Sequence, residues 1–263
     1  PPRSTLFPYT TLFRSIKNSW DDVTLQEFLA VCQLAIPERL RERYAYYLTG
    51  DRRKKPPQDD SYEDIVKTFP RYYGQVISLL SDIPPEVVDR IEWSVRTTLF
   101  QDYLIHIVET VISPSPLTMN EEGKVEPFKG SEVEAVIFEG ERYLFPKSLR
   151  FGDNLIPLSE EKIITFAEAS DIQIALHEMA TQGVNAMAQV AAVYLRKEGE
   201  EYSEKLTLER MERFRTLPMS VVWELFFCMT RLGGESMSAI LSSLQEALQG
   251  RSPQEERISE SQA

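Results

Sequence analysis

The sequence predicts a mainly α protein: helical bundle-like halves carrying one small β-hairpin insertion. Three observations lead there. Apolar residues recur at steps of three and four through most of the chain, the spacing of one helix face. Hydroxyl residues stand three places ahead of carboxylates at Thr24/Glu27, Ser61/Asp64 and Thr165/Glu168. This is how a helix start satisfies its early backbone N–H groups. One stretch alone, Val133 to Pro146, alternates in the manner of strands about a tight turn.

Taken in order, Thr24 opens a helix whose apolar face is Leu25, Phe28, Leu29 and Cys32. Pro37 then begins a second helix through Tyr44 and Leu48, which Thr49-Gly50 ends. The run DRRKKPPQDD at Asp51–Asp60 reads as a solvated loop, four basic residues being too few for a phosphate-binding patch in so acidic a chain. Ser61 caps a short helix predicted to stop near Phe69-Pro70, because proline disfavours helical backbone in the residue before it. Tyr72, Val76, Leu79 and Leu80 suit another helix, and Ile83-Pro84-Pro85 a break. From Glu86 one long helix is predicted. Val87, Ile91, Val95, Leu99, Tyr103, Ile107 and Val111 advance by fours, which outweighs the β-branched content near Ile105–Ile112.

Ser113 to Ser131, rich in proline, serine and charge, reads as a linker, setting a helical region at 16–112 apart from a hairpin-plus-helical region at 133–250 across residues 113–132. In the hairpin, Glu139-Gly140 supplies the turn. Thr165 opens a helix through Ile172, Ala175, Leu176 and Met179. The stretch Ala186–Leu232 follows as the centre of the second half. Met187, Val190, Ala191 and Tyr194 share one helix face, Arg196–Glu201 is a charged turn with Gly199, and Thr207–Phe214 is a short amphipathic helix. After Leu217-Pro218 the chain is apolar on nearly every side, as a buried central helix should be. Val222, Leu225, Phe226 and Met229 form one stripe, Trp223 and Phe227 another. Gly233-Gly234 ends that helix, a last one carries Met237, Ile240, Leu241 and Leu244, and Arg251–Ala263 reads as a disordered polar tail.

The charge balance excludes some functions. With 41 acidic against 29 basic residues the net charge is −12. Non-specific nucleic-acid binding runs on positive charge and is not expected. No apolar run is long enough for a membrane span, and the cytoplasm is the expected location. Cys32 and Cys228 sit in apolar helical patterns and read as buried thiols.

Few residues carry a chemical signature. His177-Glu178 begins a zinc-protease pattern, but Thr181 stands where the second histidine is needed. His106 is a lone helical histidine. Glu198, Glu200 and Glu201 lack the alternation of a calcium loop. No nucleophile elbow, phosphate loop or CxxC pair occurs. No catalytic residue, metal or cofactor is expected, and the chain reads as a binding or assembly protein rather than an enzyme.

Pro1 to Ser15 stands apart. It has no acidic residue, repeats Thr-Leu-Phe, and from Thr5 to Ser15 looks like the conceptual translation of a sequencing adapter. Such a segment is set aside from fold reasoning. On this reading the natural chain is joined in at about Ile16.

The order of motifs in the remainder resembles tail assembly chaperones of tailed bacteriophages, particularly those of gut Bacteroides-type hosts. The similar elements are SWDDVTLQEFL at Ser19–Leu29, YYLTG at Tyr46–Gly50, and Tyr62–Phe69 followed by Pro70. Later come VIFEGERYLFP, VAAVYLRKEGEEYSE at Val190–Glu204 and RMERFRTLPMSVVWELFF at Arg210–Phe227. The chain departs from the pattern at the DRRKKPPQDD loop. The resemblance implies a non-catalytic protein that coats the tape-measure protein until tail-tube subunits polymerise around it. A structural or adaptor protein of the particle is the alternative. The candidate partner contacts, Trp223 and Phe227, come from the chain itself: their stripe offers more apolar surface than one core face needs.

Overall fold

The computed structural model describes residues 16–49, 59–112, 116–120, 124–129, 133–145, 170–171, 174–175, 177–178 and 183–233. Among the described residues the architecture is mainly helical with two small antiparallel hairpins. The chain divides into two compact units. The first takes residues up to Val23 and Ala30–Phe128; the second takes Thr24–Leu29 and the chain from Lys129 on.

In the first unit, α2 (Glu38–Thr49) packs on α6 (Ile105–Ile112), and α3 (Phe69–Leu79) packs on α4 (Pro85–Val88) and α5 (Trp93–Leu99). Leu40, Ile77, Leu99, Leu104 and Ile107 are fully buried. Aromatic rings fill much of the core. Tyr73 stacks on Phe100 at 4.1 Å between centroids, and Tyr72 meets the same ring edge-on at 6.2 Å.

Three expectations change here. The helix capped by Ser61 does not stop at Pro70. The cap forms, with Ser61 and Asp64 bonded reciprocally. The backbone then widens into a π-helical turn, Asp64–Thr68, and runs on into α3. There the Phe69 N–H reaches back five residues to the Asp64 carbonyl. Pro70, which has no N–H to give, therefore sits in the first turn of α3, where none is needed.

The long helix from Glu86 is broken. α4 ends at Val88, and α5 begins at Trp93 after an extended Glu92. The Arg96 side chain stabilises the break. Its Nε donates to the Ile91 carbonyl at 3.0 Å and its Nη2 to the Asp89 carbonyl at 3.4 Å. A second π-helical turn, Phe100–Leu104, joins α5 to α6. Ile105–Ile112 is helix, as the four-residue step predicts.

The expected linker holds a hairpin of its own, β1 (Leu117–Met119) with β2 (Val125–Pro127). It is tied down from a distance. The Trp20 indole N–H donates to the Leu117 carbonyl at 2.6 Å, and the Leu117 N–H donates to Thr110 Oγ1 at 2.9 Å.

In the second unit the predicted hairpin is present as β3 (Ala135–Phe138) and β4 (Glu141–Leu144). Glu139 and Gly140 both have positive φ, +50° and +79°. A two-residue turn matching the strand twist requires this, and glycine adopts it without strain. β4 bridges to the segment after α7 (Met187–Tyr194), with the Leu144 N–H on the Arg196 carbonyl at 2.6 Å. α7 is buried on almost every residue. It packs on α8 (Glu204–Arg213) and on α9 (Met219–Gly233). The first turns of α1 (Leu25–Cys32) join this unit. The Leu25 N–H donates to the Leu217 carbonyl at 2.8 Å, and Phe28 meets the Trp223 ring edge-on at 5.6 Å.

The predicted Thr24/Glu27 capping box is formed in both directions, at 2.9 and 3.3 Å. The helix predicted from Thr165 is seen only in part, as helical backbone at 170–171, 174–175 and 177–178. The adapter-like segment, most of the basic loop, the Met237–Leu244 helix and the polar tail lie outside the described residues.

Candidate functional site

The two proposed partner contacts have different surroundings. Trp223 is 2 % exposed, held edge-on between Phe28 at 5.6 Å and Phe226 at 6.1 Å. Phe227, a helix turn on, is half-buried and meets Phe226 edge-on at 5.6 Å. The structure does not bring the pair out as one surface stripe. Of the two, Phe227 alone keeps solvent access.

The chemical candidates of the sequence have surroundings of their own. His177 is exposed on helical backbone. His106 is 1 % exposed and lies edge-on against Trp20 at 5.6 Å. Burial pushes its pKa down to about 4, so the imidazole is neutral at physiological pH. Glu198 and Glu200 turn to separate guanidinium groups, Arg142 at 3.2 Å and Arg210. Among the described residues no group of three or more histidine, cysteine or carboxylate side chains could hold a metal ion. Cys32 and Cys228 are free thiols, Cys32 half-buried with its pKa pushed up to about 12 by desolvation. Among the described residues no helix is long and apolar enough to cross a membrane.

Among the described residues a dense polar cluster is centred on Glu141 of β4. One carboxylate oxygen accepts from Lys197. The other accepts from the Tyr143 hydroxyl at 2.6 Å and from Arg213 at 2.8 Å. These bonds, that to Lys197 first, hold its pKa at about 2, well below the usual carboxylate range. Arg213 also pairs with Glu139 and lies 5.7 Å over the Phe138 ring, while Arg210 lies 5.3 Å over Tyr143. Beneath, Phe214 meets Phe138 and Tyr143 edge-on. Each of these carboxylates already faces a cation, so the cluster clamps the hairpin onto α8.

The first unit has the more open feature. A groove of about 550 Å³ runs between a wall made of the π-helical turn with α3 and a wall made of α4 and α5. Trp93, at the start of α5, is half-exposed on it, and Val66 is exposed on the other wall. Gly74 forms part of the floor. A Cβ there would stand 3.2 Å from Arg96 Nη1, so glycine lets the guanidinium lie against α3. Sequence reasoning missed this groove. The available signal was a tryptophan between Glu92 and Ser94, off the apolar face of its own helix. No family model, curated protein or solved structure matches the chain.

Proposed function

We propose that the chain is a non-catalytic assembly chaperone of a tailed bacteriophage, acting in the host cytoplasm. It binds the tape-measure protein and keeps it in solution while the tail tube forms around it. The order of sequence motifs suggests the family. The observation that carries the reading is physical: a strongly acidic, mainly helical chain leaves large apolar side chains exposed on its helices, among them Tyr62, Ile65, Val66 and Trp93. Such surfaces cover the apolar faces of a partner's helices, while net charge keeps the complex dispersed.

The test is co-expression of tagged residues 16–263 with the long helical protein encoded just downstream. Soluble co-purification of a partner that is insoluble alone, with this chain absent from purified particles, is the expected result. A partner that stays insoluble, with this chain found in the particles, would replace the reading by that of a structural or adaptor protein.

A further inference from the structure

The groove between α3 and the α4–α5 pair has a charge unlike that of the chain around it. Its lining includes Lys67, Arg71 and Arg96 against one carboxylate, Asp89, in a molecule of net charge −12. Elsewhere arginine is usually matched by a carboxylate: Arg39 with Glu42, Arg43 with Asp60, Arg142 with Glu198, Arg210 with Glu200 and Arg213 with Glu141. Within the groove the pattern fails. Arg96 gives its donors to the backbone carbonyls of Ile91, Asp89 and Pro70, which carry no net charge. Arg71, exposed on α3, has no carboxylate partner among the described residues, and Lys67 has only the exposed Glu63 at 3.5 Å. Between these cations the surface is mixed: Val66, Leu79, Pro85 and the half-exposed Trp93 supply apolar atoms, and Gln75 and Ser78 supply polar ones.

We propose that this groove docks an amphipathic helix of a partner protein. One large apolar side chain of that helix seats against Trp93, and a carboxylate one turn away pairs with Arg71. Both walls are helical and have no free strand edge, so an extended segment would find no backbone ladder to join, whereas a helix needs only side-chain contacts. Tryptophan and arginine, which line the groove together, are the residue types that dominate interface energetics, and the carboxylate supplies the charge the groove lacks. The inference relies on the assembly reading only for the origin of the helix; the chemistry of the occupant comes from the groove.

Trp93 is also the reporter, since the two other tryptophans, Trp20 and Trp223, are buried. The probe is a synthetic helix-forming peptide of about four turns with leucine and phenylalanine on one face and glutamates flanking them. A twin carries lysine for glutamate. Titrated into residues 16–263, the glutamate peptide is expected to shift Trp93 emission to the blue, saturably, and to bind at least about tenfold tighter than its twin. Arg71→Glu, at an exposed site, should invert that preference with the circular dichroism unchanged, and Trp93→Phe should abolish the signal while anisotropy of a labelled peptide still reports binding. Three results would overturn the proposal. They are equal or absent binding of both peptides, displacement of the glutamate peptide by millimolar succinate or phosphate (a small-anion site), and a concentration-dependent blue shift without peptide (a second copy in the groove). Peptide binding that obeys the charge rule together with a failed co-expression would sink the tape-measure reading and leave the groove assignment standing.

Discussion

Replacing Trp223 by alanine separates the two roles its position could have. The ring is 2 % exposed and makes edge-on contacts with Phe28 and Phe226. An aromatic side chain of this kind buries roughly 150–250 Å². At about 25 cal/mol per Å² this is worth roughly 4–6 kcal/mol, an upper estimate because the unfolded chain already hides part of that area. Measured tryptophan-to-alanine changes in cores cost about 3–5 kcal/mol. About 4 kcal/mol is therefore expected for Trp223→Ala. Phe227, half-buried and edge-on to Phe226, should cost about 1–2 kcal/mol when cut to alanine. The assay is urea unfolding followed by far-ultraviolet circular dichroism. With a denaturant slope of about 2–3 kcal/mol per molar, Trp223→Ala should lower the midpoint by roughly 1.5 M and Phe227→Ala by less than half of that. The reasoning fails if Trp223→Ala unfolds within about 0.3 M of the parent while losing the partner. That outcome would put the indole at an interface and make its burial against Phe28 energetically empty.

Further outcomes can be checked in the same apparatus. Arg96→Ala removes the donors that satisfy the carbonyls at the α4–α5 break, and a loss of about 2 kcal/mol is expected; an unchanged midpoint would mean that solvent replaces the guanidinium. His106 has its pKa lowered to about 4 by burial, so the unfolded chain takes up the proton first as pH falls below about 6.5. Its contribution is intact above that pH and declines towards pH 4, and His106→Gln should flatten this part of the midpoint-against-pH curve. Glu109 has the opposite sign, with desolvation raising its pKa to about 7. The native state then holds a proton that the unfolded state has lost, and stability falls as pH rises from about 4.5 to 7. Glu109→Gln should raise the stability above pH 7 by on the order of 1 kcal/mol after allowance for its partial exposure, and do nothing below pH 4. Gly140→Ala, at φ +79° in the β3–β4 turn, should cost about 1 kcal/mol although nothing lies within 4 Å of the added methyl. An unaltered midpoint would show that the turn can readjust.

What could be read from the sequence was what is written locally. The capping boxes at Thr24 and Ser61 span three residues, and both form. Glu139-Gly140 announces its own turn. The apolar surround of Trp223 points to a core helix, and the ring is buried. What could not be read is set by residues far apart. The hairpin at Leu117–Pro127 has three-residue strands in a segment of prolines and charges. It is pinned by Trp20, 97 positions away, and by Thr110. The break after Val88 is invisible to periodicity, because Ile91 and Val95 continue the four-residue step across it. Only the tertiary position of Arg96 shows where the carbonyls go. The widened turn before Phe69 is a backbone accommodation with no composition of its own. The groove has the same cause, since α3 packs on α4 and α5 only in the tertiary fold, across the break at Pro84-Pro85.

The assignment of Thr24–Leu29 to the second unit has a consequence for the order in which the molecule can be completed. Leu25 waits for the carbonyl of Leu217, and Phe28 for the ring of Trp223. Both partners lie about 190 residues downstream. On a ribosome adding roughly 5–20 residues per second, the interval is about 10–40 s. Through that time the first turns of α1 carry uncovered leucine and phenylalanine, although the chain on either side belongs to the earlier unit. A break in the chain at the Phe128–Lys129 boundary would not yield two self-sufficient pieces: the N-terminal fragment would keep a segment it cannot bury, and the C-terminal fragment would lack the ring that covers Trp223.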